Sequence, residues 1–396
     1  MFDISTLTNI DTPTTNRPYG VMRDDVLPGD ETGTEVEEQV YNDLYYPLIA
    51  ILDRAGLTPD GSDEGVSNSQ VADAVEAIGK SADDNLLYNS DFKLWQRGLT
   101  HAITSTVNNY YPDRLKCKLN TYTSGTLSIL KNTIESETNF ERCAEFDFTS
   151  LVHTGNFQAR QILETKNVVP LRNKKVIAKI KIKAIAGVSF TFKITDGTDT
   201  DAEPVTSTTV SQKTIALTTS YQEFTLLHTV QSGANSLKVE VITTDAYSGK
   251  FFVQYMSLNR VNNNFEYENI VLYEQRSFLT ELMLCQRYYE KTYDTDTTPG
   301  SVAGSGAINI TIGYFEPGAL SFISGSFEYK TKKRIAVVFL TVWTPGGTAS
   351  KVSLNGVNTD YGVPTSGEGH VYISASNTNT DQTKVLSFHA AADAEI

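Results

Sequence analysis

From residue 85 onward, short runs of alternating apolar and polar residues recur, each closed by turn-forming residues, and this restricts the chain to a β architecture. The clearest run is KKVIAKIKIKAI, residues 174–185. Val176, Ala178, Ile180 and Ile182 alternate there with Ile177, Lys179, Lys181 and Lys183. A period of two puts the first set on one face of a strand and predicts a lysine-lined solvent face opposite. Comparable runs are TLSIL, RCAEFDF, QARQILE, VSFTFKIT, TIALT, QEFTLLHTV, SLKVEVITT and KFFVQYMSLN, with DGTDTDAEP and VQSGANS as turn material between them. This spacing predicts a jelly-roll or related β-sandwich over 85–276.

A second β region is predicted over 294–396, after the linker DTDTTPGSVAGSG. Its strands are AINITIGYF, SFISGSFEYK, RIAVVFLTVW, KVSLNGV, GHVYISAS and VLSFHAAA. IAVVFLTVW is the most continuously apolar run, which predicts a central strand. Between the two β regions lies SFLTELMLCQRYYEKTY, residues 277–293, whose Phe278, Leu282, Cys285 and Tyr289 recur at helical steps. It reads as a connecting helix, with Leu282, Cys285 and Tyr289 expected to be buried at the joint.

Residues 1–84 differ. Thr, Asp, Pro and Gly dominate 1–35, too little apolar material for a core, so an extended arm is expected. From Thr34, which with Glu37 fits a capping box, Val40, Leu44, Leu48 and Leu52 repeat at helical steps, and Pro47 should kink or divide that helix. A second short helix is expected over SNSQVADAVEAIGK, with Val71, Val75 and Ile78 on one face and Gly79 as its stop. Such a module calls for completion by another chain. The expected organisation is therefore 1–84 arm and helices, 85–276 jelly-roll, 277–293 connecting helix, and 294–396 C-terminal β-sandwich.

Composition excludes several functions. A formal net charge of −14 opposes sequence-independent binding to nucleic acid phosphates. No apolar run reaches membrane-spanning length, so no membrane insertion is expected, and the N-terminus lacks the pattern of a signal peptide. Cys117, Cys143 and Cys285 are widely spaced and odd in number, which reads as isolated buried thiols rather than a disulfide framework. His101, His153, His228, His370 and His389 are dispersed, and the Walker, GxGxxG and GxSxG signatures are missing. Asp196–Glu203 has a partial likeness to a calcium loop but lacks its downstream Glu. KTKKR, Lys330–Arg334, and the group Arg172, Lys174 and Lys175 read as strand-edge charge or as a place for an acidic sugar. Trp95, Tyr110, Tyr111, Tyr122, Trp343, Tyr361 and Tyr372 are either core rings or sugar platforms. No catalytic, cofactor-binding or metal-ligating residue is assigned, and the ligand-binding residues stay unknown.

Four stretches carry a further signal: Asn85–Gly98 with NSDF and WQRG, Tyr110–Arg114 (YYPDR), Leu284–Tyr293 (LCQRYYEKTY) and Ala391–Glu395 (ADAE). Together they resemble a family of tailed-bacteriophage appendage proteins, tail fibres and receptor-binding proteins with carbohydrate-binding-like jelly-rolls. Leu115 stands where that family often has Trp. YNDLYYPLIAILDRAGLTPDGSDEGVSNSQVADAVEAI, before them, is similar to phage fibre segments. The resemblance implies a non-enzymatic virion protein, made in the bacterial cytoplasm, with other virion proteins held through residues 1–84 and the β regions facing host surface glycans. A homotrimer without cofactors is the implied assembly. The alternatives are a decoration or connector protein that binds only virion partners, and a polysaccharide depolymerase.

Overall fold

The computed structural model describes residues 47–52, 69–71, 75, 85–137, 140–261, 273, 275–312, 321–335, 339–362, 365–377 and 384–395. The chain is mainly β, as the alternating runs predict. Residues 47–52 are helical, with Leu52 buried and Leu48 exposed. The extended arm 1–35, the Thr34 capping box and the Ile78–Gly79 helix stop lie outside the described residues.

Residues 85–260 and 275–396 form one compact unit. Twelve of its strands make two six-stranded sheets. The first runs β1 (Thr100–Ile103), β4 (Tyr122–Asn132), β5 (Cys143–His153), β12 (Lys250–Val261), β7 (Lys175–Ala184), β10 (Gln222–Thr229). The second runs β2 (Val107–Tyr110), β3 (Lys116–Leu119), β6 (Phe157–Leu163), β11 (Ser236–Ile242), β8 (Val188–Gly197), β9 (Thr209–Leu217). All nine predicted runs are strands. The short β1 and β2 carry no clear alternation and β3, KCKL, alternates over only four residues; they owe their strand form to pairing, β1 with β4, β2 with β3 and β3 with β6. Sandwiched between the sheets is an aromatic core. Phe146 stacks on Phe251 at 4.6 Å, and Phe190 and Phe148 meet neighbouring rings edge-on at about 5 Å.

The lysine face of β7 is a correction. Lys179 is buried, and Lys181 and Lys183 are half-buried rather than solvent-facing. Each meets one carboxylate: Lys179 Nζ lies 2.9 Å from Glu223, Lys183 Nζ lies 2.7 Å from Glu135, and Lys181 pairs with Glu137. Glu223 comes from β10 and the other two from the segment after β4, which covers the sheet there.

The C-terminal region adds β13 (Tyr289–Lys291), β14 (Ile308–Ile312), β15 (Ser321–Glu328), β16 (Phe339–Trp343), β17 (Val352–Leu354), β18 (Val357–Thr359), β19 (Thr365–Ser366), β20 (His370–Asn377) and β21 (Lys384–Asp393). Its centre is β21, not the apolar run 335–343. β13 and β16 both pair with Asp393, and β14 and β17 both pair with Leu386, so the two edges of β21 are taken along most of its length. Among the described residues β21 is the one strand that β16 pairs with, beside a single bridge from Trp343 to Ala349, and its Phe339 is 84 % exposed. A long strand with small residues, Ala390–Ala392, gives neighbours on both sides room to approach; apolarity alone does not select the centre. KVSLNGV is not one strand but a hairpin. Asn355 and Gly356 have φ of 51° and 83°, the left-handed pair that a two-residue turn of type I′ needs.

The segment 277–293 also divides. Ser277 caps the helix by accepting from the Thr280 amide at 3.2 Å, and the helix spans only Phe278–Gln286. Tyr289–Lys291 is then strand β13, because β-favouring tyrosines find the free edge of β21. The helix buries Glu281, Cys285 and Gln286 and leaves Phe278, Leu279 and Met283 exposed. Cys285 and Tyr289 are buried as expected, but Leu282 is only half-buried and Phe278 exposed, so the predicted apolar face packs only toward its C-terminal end.

Candidate functional site

The four stretches that carry the resemblance converge on one buried joint between the two β regions. It starts at Asn89, whose φ of 51° is the left-handed region that Asn tolerates. Its Nδ2 donates to the carbonyls of Leu94 (2.8 Å) and Asp113 (2.9 Å), and its Oδ1 accepts from the Leu94 amide at 2.8 Å. The Asn89 amide donates to Glu281 of the helix. Phe92, fully buried, also has positive φ, at 55°. A bulky residue there costs on the order of 1–3 kcal/mol and persists only where its surroundings over-determine it. They do: Phe92 N donates to Asn89 O at 3.1 Å, and Trp95 Nε1 donates to Phe92 O at 2.7 Å.

WQRG then supplies four distinct functions. Trp95 is core. Gln96 donates its backbone amide to a carboxylate oxygen of Asp113 (3.0 Å) and its side-chain amide to Tyr289 O (3.1 Å). Gly98 has φ of 123°, and a Cβ there would lie 2.8 Å from Thr298 Oγ1. Arg97 reaches three carboxylates, Asp113 at 3.2 Å, Asp393 at 3.0 Å and Glu395 at 3.5 Å, while its guanidinium lies 3.8 Å over the Tyr289 ring. Arg114 of YYPDR pairs with the other oxygen of Glu395, donates to Ile162 O at 2.7 Å, and lies 3.5 Å over Tyr288. The consecutive tyrosines of QRYYEK thus each carry one arginine of another motif, and the ADAE end closes both.

Burial sets the electrostatics. It works against the charge on Arg97 and Arg114, but the carboxylates around them outweigh it and raise both above the ordinary guanidinium value. Desolvation raises Asp113 to about 6 despite Arg97 beside it, and raises Glu281 against the pull of Arg276. Burial likewise lifts the Cys285 thiol well above its usual range, so it is an inert core group. All three cysteines are free and buried, as their spacing predicts.

Lys330–Arg334 belongs to the same joint and is no sugar-facing edge at Lys333 or Arg334. Lys333, 1 % exposed, meets Glu290 at 2.5 Å, and Arg334 donates to the Ala394 and Glu395 carbonyls at 2.9 and 3.2 Å. Lys332 remains outside, paired with Glu368. In the second basic group, Arg172 donates to Ala234 O and Asn235 Oδ1 at 2.8 and 2.5 Å. Of the aromatic candidates, Trp95 and Tyr110 are core, Tyr111, Tyr122, Trp343 and Tyr361 are half-buried, and Tyr372 is 46 % exposed. They form no shared platform. The signal for the joint was in the sequence as four motifs, but nothing in it said that they touch.

Asp196–Glu203 is dismantled by its neighbours. Asp199 accepts from the Val205 and Thr206 amides, Asp201 from the Thr165 amide, and Glu203 pairs with Arg160 and Lys238. Asp196 lies 3.1 Å from His228 Nε2, and His228 Nδ1 lies 2.9 Å from Ser211 Oγ. These are the residue types of a hydrolytic triad. Asp196 and His228 are nevertheless 0 % and 2 % exposed, and Asp196 also accepts from the Gln231 and Thr209 amides. The line therefore satisfies a carboxylate buried at the end of β8. Among the described residues no group of three or more His, Cys, Asp or Glu is placed to hold a metal.

The chain matches no known protein family and no curated protein. Solved structures with partial likeness include the enzymatically active domain of tailspike protein 4 of bacteriophage CBA120, at 8 % identity and a TM-score of 0.32, covering 46 % of this chain and 22 % of that one. The CBM22-1 xylan-binding domain of Paenibacillus barcinonensis Xyn10C gives 12 % identity and a TM-score of 0.30, covering 45 % and 96 %. A putative sugar-binding protein of Bacteroides thetaiotaomicron gives 11 % and 0.31, covering 45 % and 100 %. These neighbours are a phage tailspike domain, a xylan-binding domain and a putative sugar-binding protein; at such scores they bear on no residue or function of this chain.

Proposed function

We propose that the protein is a non-catalytic bacteriophage virion appendage, a tail fibre or receptor-binding protein. In this reading residues 1–84 attach it to other virion proteins and its β regions meet host surface glycans. The observation that carries it is the joint: the motifs that resemble phage appendage proteins are the residues that lock the two β regions together. A protein that transmits contact with a host surface to a particle needs such a rigid link, and buried, multiply paired arginines provide one. A homotrimer is the assembly proposed. Antibodies against the protein should label an appendage on the particle in electron micrographs, and the purified full-length protein should compete with phage for adsorption to host cells. Labelling without competition would favour the decoration or connector reading. New reducing ends from host polysaccharide would favour a depolymerase instead.

A further inference from the structure

Where the segment after β4 meets the start of the joint helix there is a hollow of about 190 Å³, lined by Asp91, Lys93, Phe140, Arg142, Gln275 and Phe278, with Glu141 at its rim. Two of its polar residues are more than nine-tenths buried: Asp91 is 5 % exposed and Lys93 8 %. Lys93 Nζ lies 2.8 Å from Asp91 Oδ2 and donates to Arg276 O at 2.7 Å, so both side chains are fixed. Asp91 Oδ1 has no hydrogen-bond partner among the described residues. A buried carboxylate oxygen is expensive to leave unsatisfied, so it marks a place for an O–H or N–H donor.

The rest of the lining narrows the donor. Among the described lining residues two cations, Lys93 and Arg142, face two carboxylates, Asp91 and Glu141, and Arg142 pairs with Glu141. Over these residues the charge is balanced, so an anionic ligand gains no net attraction from them and would have to approach Asp91. Phe278 is 43 % exposed and Phe140 half-buried, its ring stacked on Tyr255 at 5.8 Å. The volume equals that of about six waters and falls below the usual range for larger organic ligands, which leaves room for one ring. A neutral hydroxylated ring with an aligned C–H face meets all three conditions.

We propose that this hollow binds a single neutral pyranose unit of a glycan, with a hydroxyl donating to Asp91 Oδ1, the Arg142 guanidinium donating to ring or hydroxyl oxygens, and the C–H face lying on Phe278. The assignment rests on the glycan-facing reading above and names its site. One ring with a few hydrogen bonds implies weak affinity, Kd on the order of 1 mM.

The test uses the full-length protein with the methyl glycosides of glucose, galactose, mannose and N-acetylglucosamine and, as the anionic probe, of glucuronic acid, read by saturation-transfer NMR and titration. Adsorption of the labelled protein to host cells is measured alongside. At least one glycoside should bind, and Phe278→Ala and Asp91→Asn should each weaken it by about tenfold, with Tyr372→Ala as the unaffected control. Phe278 is exposed, so its removal leaves the fold intact; that variant stays informative even where Asp91→Asn perturbs folding. Glycoside or cell binding that is unchanged in both variants overturns the hollow and leaves the glycan reading standing. Binding confined to anionic sugars and lost in Arg142→Ala overturns the neutral pyranose. No binding of the unaltered protein to any glycoside or to host cells overturns both.

Discussion

Two regions of this molecule bury charge, and they do it differently. Along β7 each of three lysines meets one nearby carboxylate, and the pairs do not interlock. At the joint two arginines share Glu395, add Asp113 and Asp393, and stack on consecutive tyrosines. The partners at β7 are 44 to 48 residues apart for Lys179 and Lys183, whereas Arg97 and Arg114 reach Glu395 across 298 and 281 residues. An isolated pair near the surface neutralises; a shared, desolvated network fixes chain segments in place.

The largest break in this contrast should come from Arg114→Met. It leaves Glu395 buried with less compensation and frees Ile162 O, a loss of about 3–5 kcal/mol for a buried pair broken on one side. Chemical denaturation should show it; a loss under about 1 kcal/mol would mean that the network is no stronger than a surface pair. Gly98→Ala should cost about 1–3 kcal/mol, since φ of 123° is closed to Ala and its Cβ would crowd Thr298. Thermal unfolding would expose the error if that variant were neutral.

A third test uses pH. Asp113 is raised to about 6 in the fold by desolvation, above its ordinary value of 3.8. The folded state therefore holds this proton more tightly, and its contribution grows as pH falls through 6 toward the ordinary range. The wild type should gain on Asp113→Asn over that interval in melting temperature. A difference that stays level with pH would show that Arg97 fully neutralises the burial. The smallest effect belongs to Lys183→Ala, about 0–1 kcal/mol, because its partner Glu135 is 46 % exposed at the side chain. A cost near that of Arg114→Met would erase the distinction between the regions.

Sequence pattern reached the strands better than their arrangement. All nine alternating runs over 85–276 are strands because a half-buried strand must alternate, whatever its neighbours. The hairpin at Asn355–Gly356 is missed, KVSLNGV reading as one strand, although few other residue pairs accept two left-handed positions. The hollow was not readable: Asp91, Phe140 and Phe278 come from three separated segments, and none carries a motif of binding.

The stretch 277–293 marks the limit most clearly. Its helical period is real over Phe278–Gln286 and ends there, because β21 offers Tyr289–Lys291 an edge that no local pattern can announce. What the residues determined by themselves was a β protein with turns at defined places, buried lone cysteines and a break near 277. Those follow from local sterics, periodicity and the cost of burying polar groups, which each short segment feels alone. Tertiary structure decided that β21 is central, that the lysines of β7 are covered, and that Arg97 and Arg114 meet Glu395. Those outcomes depend on segments hundreds of residues apart competing for the same edges and the same carboxylate, and only the folded chain settles that competition.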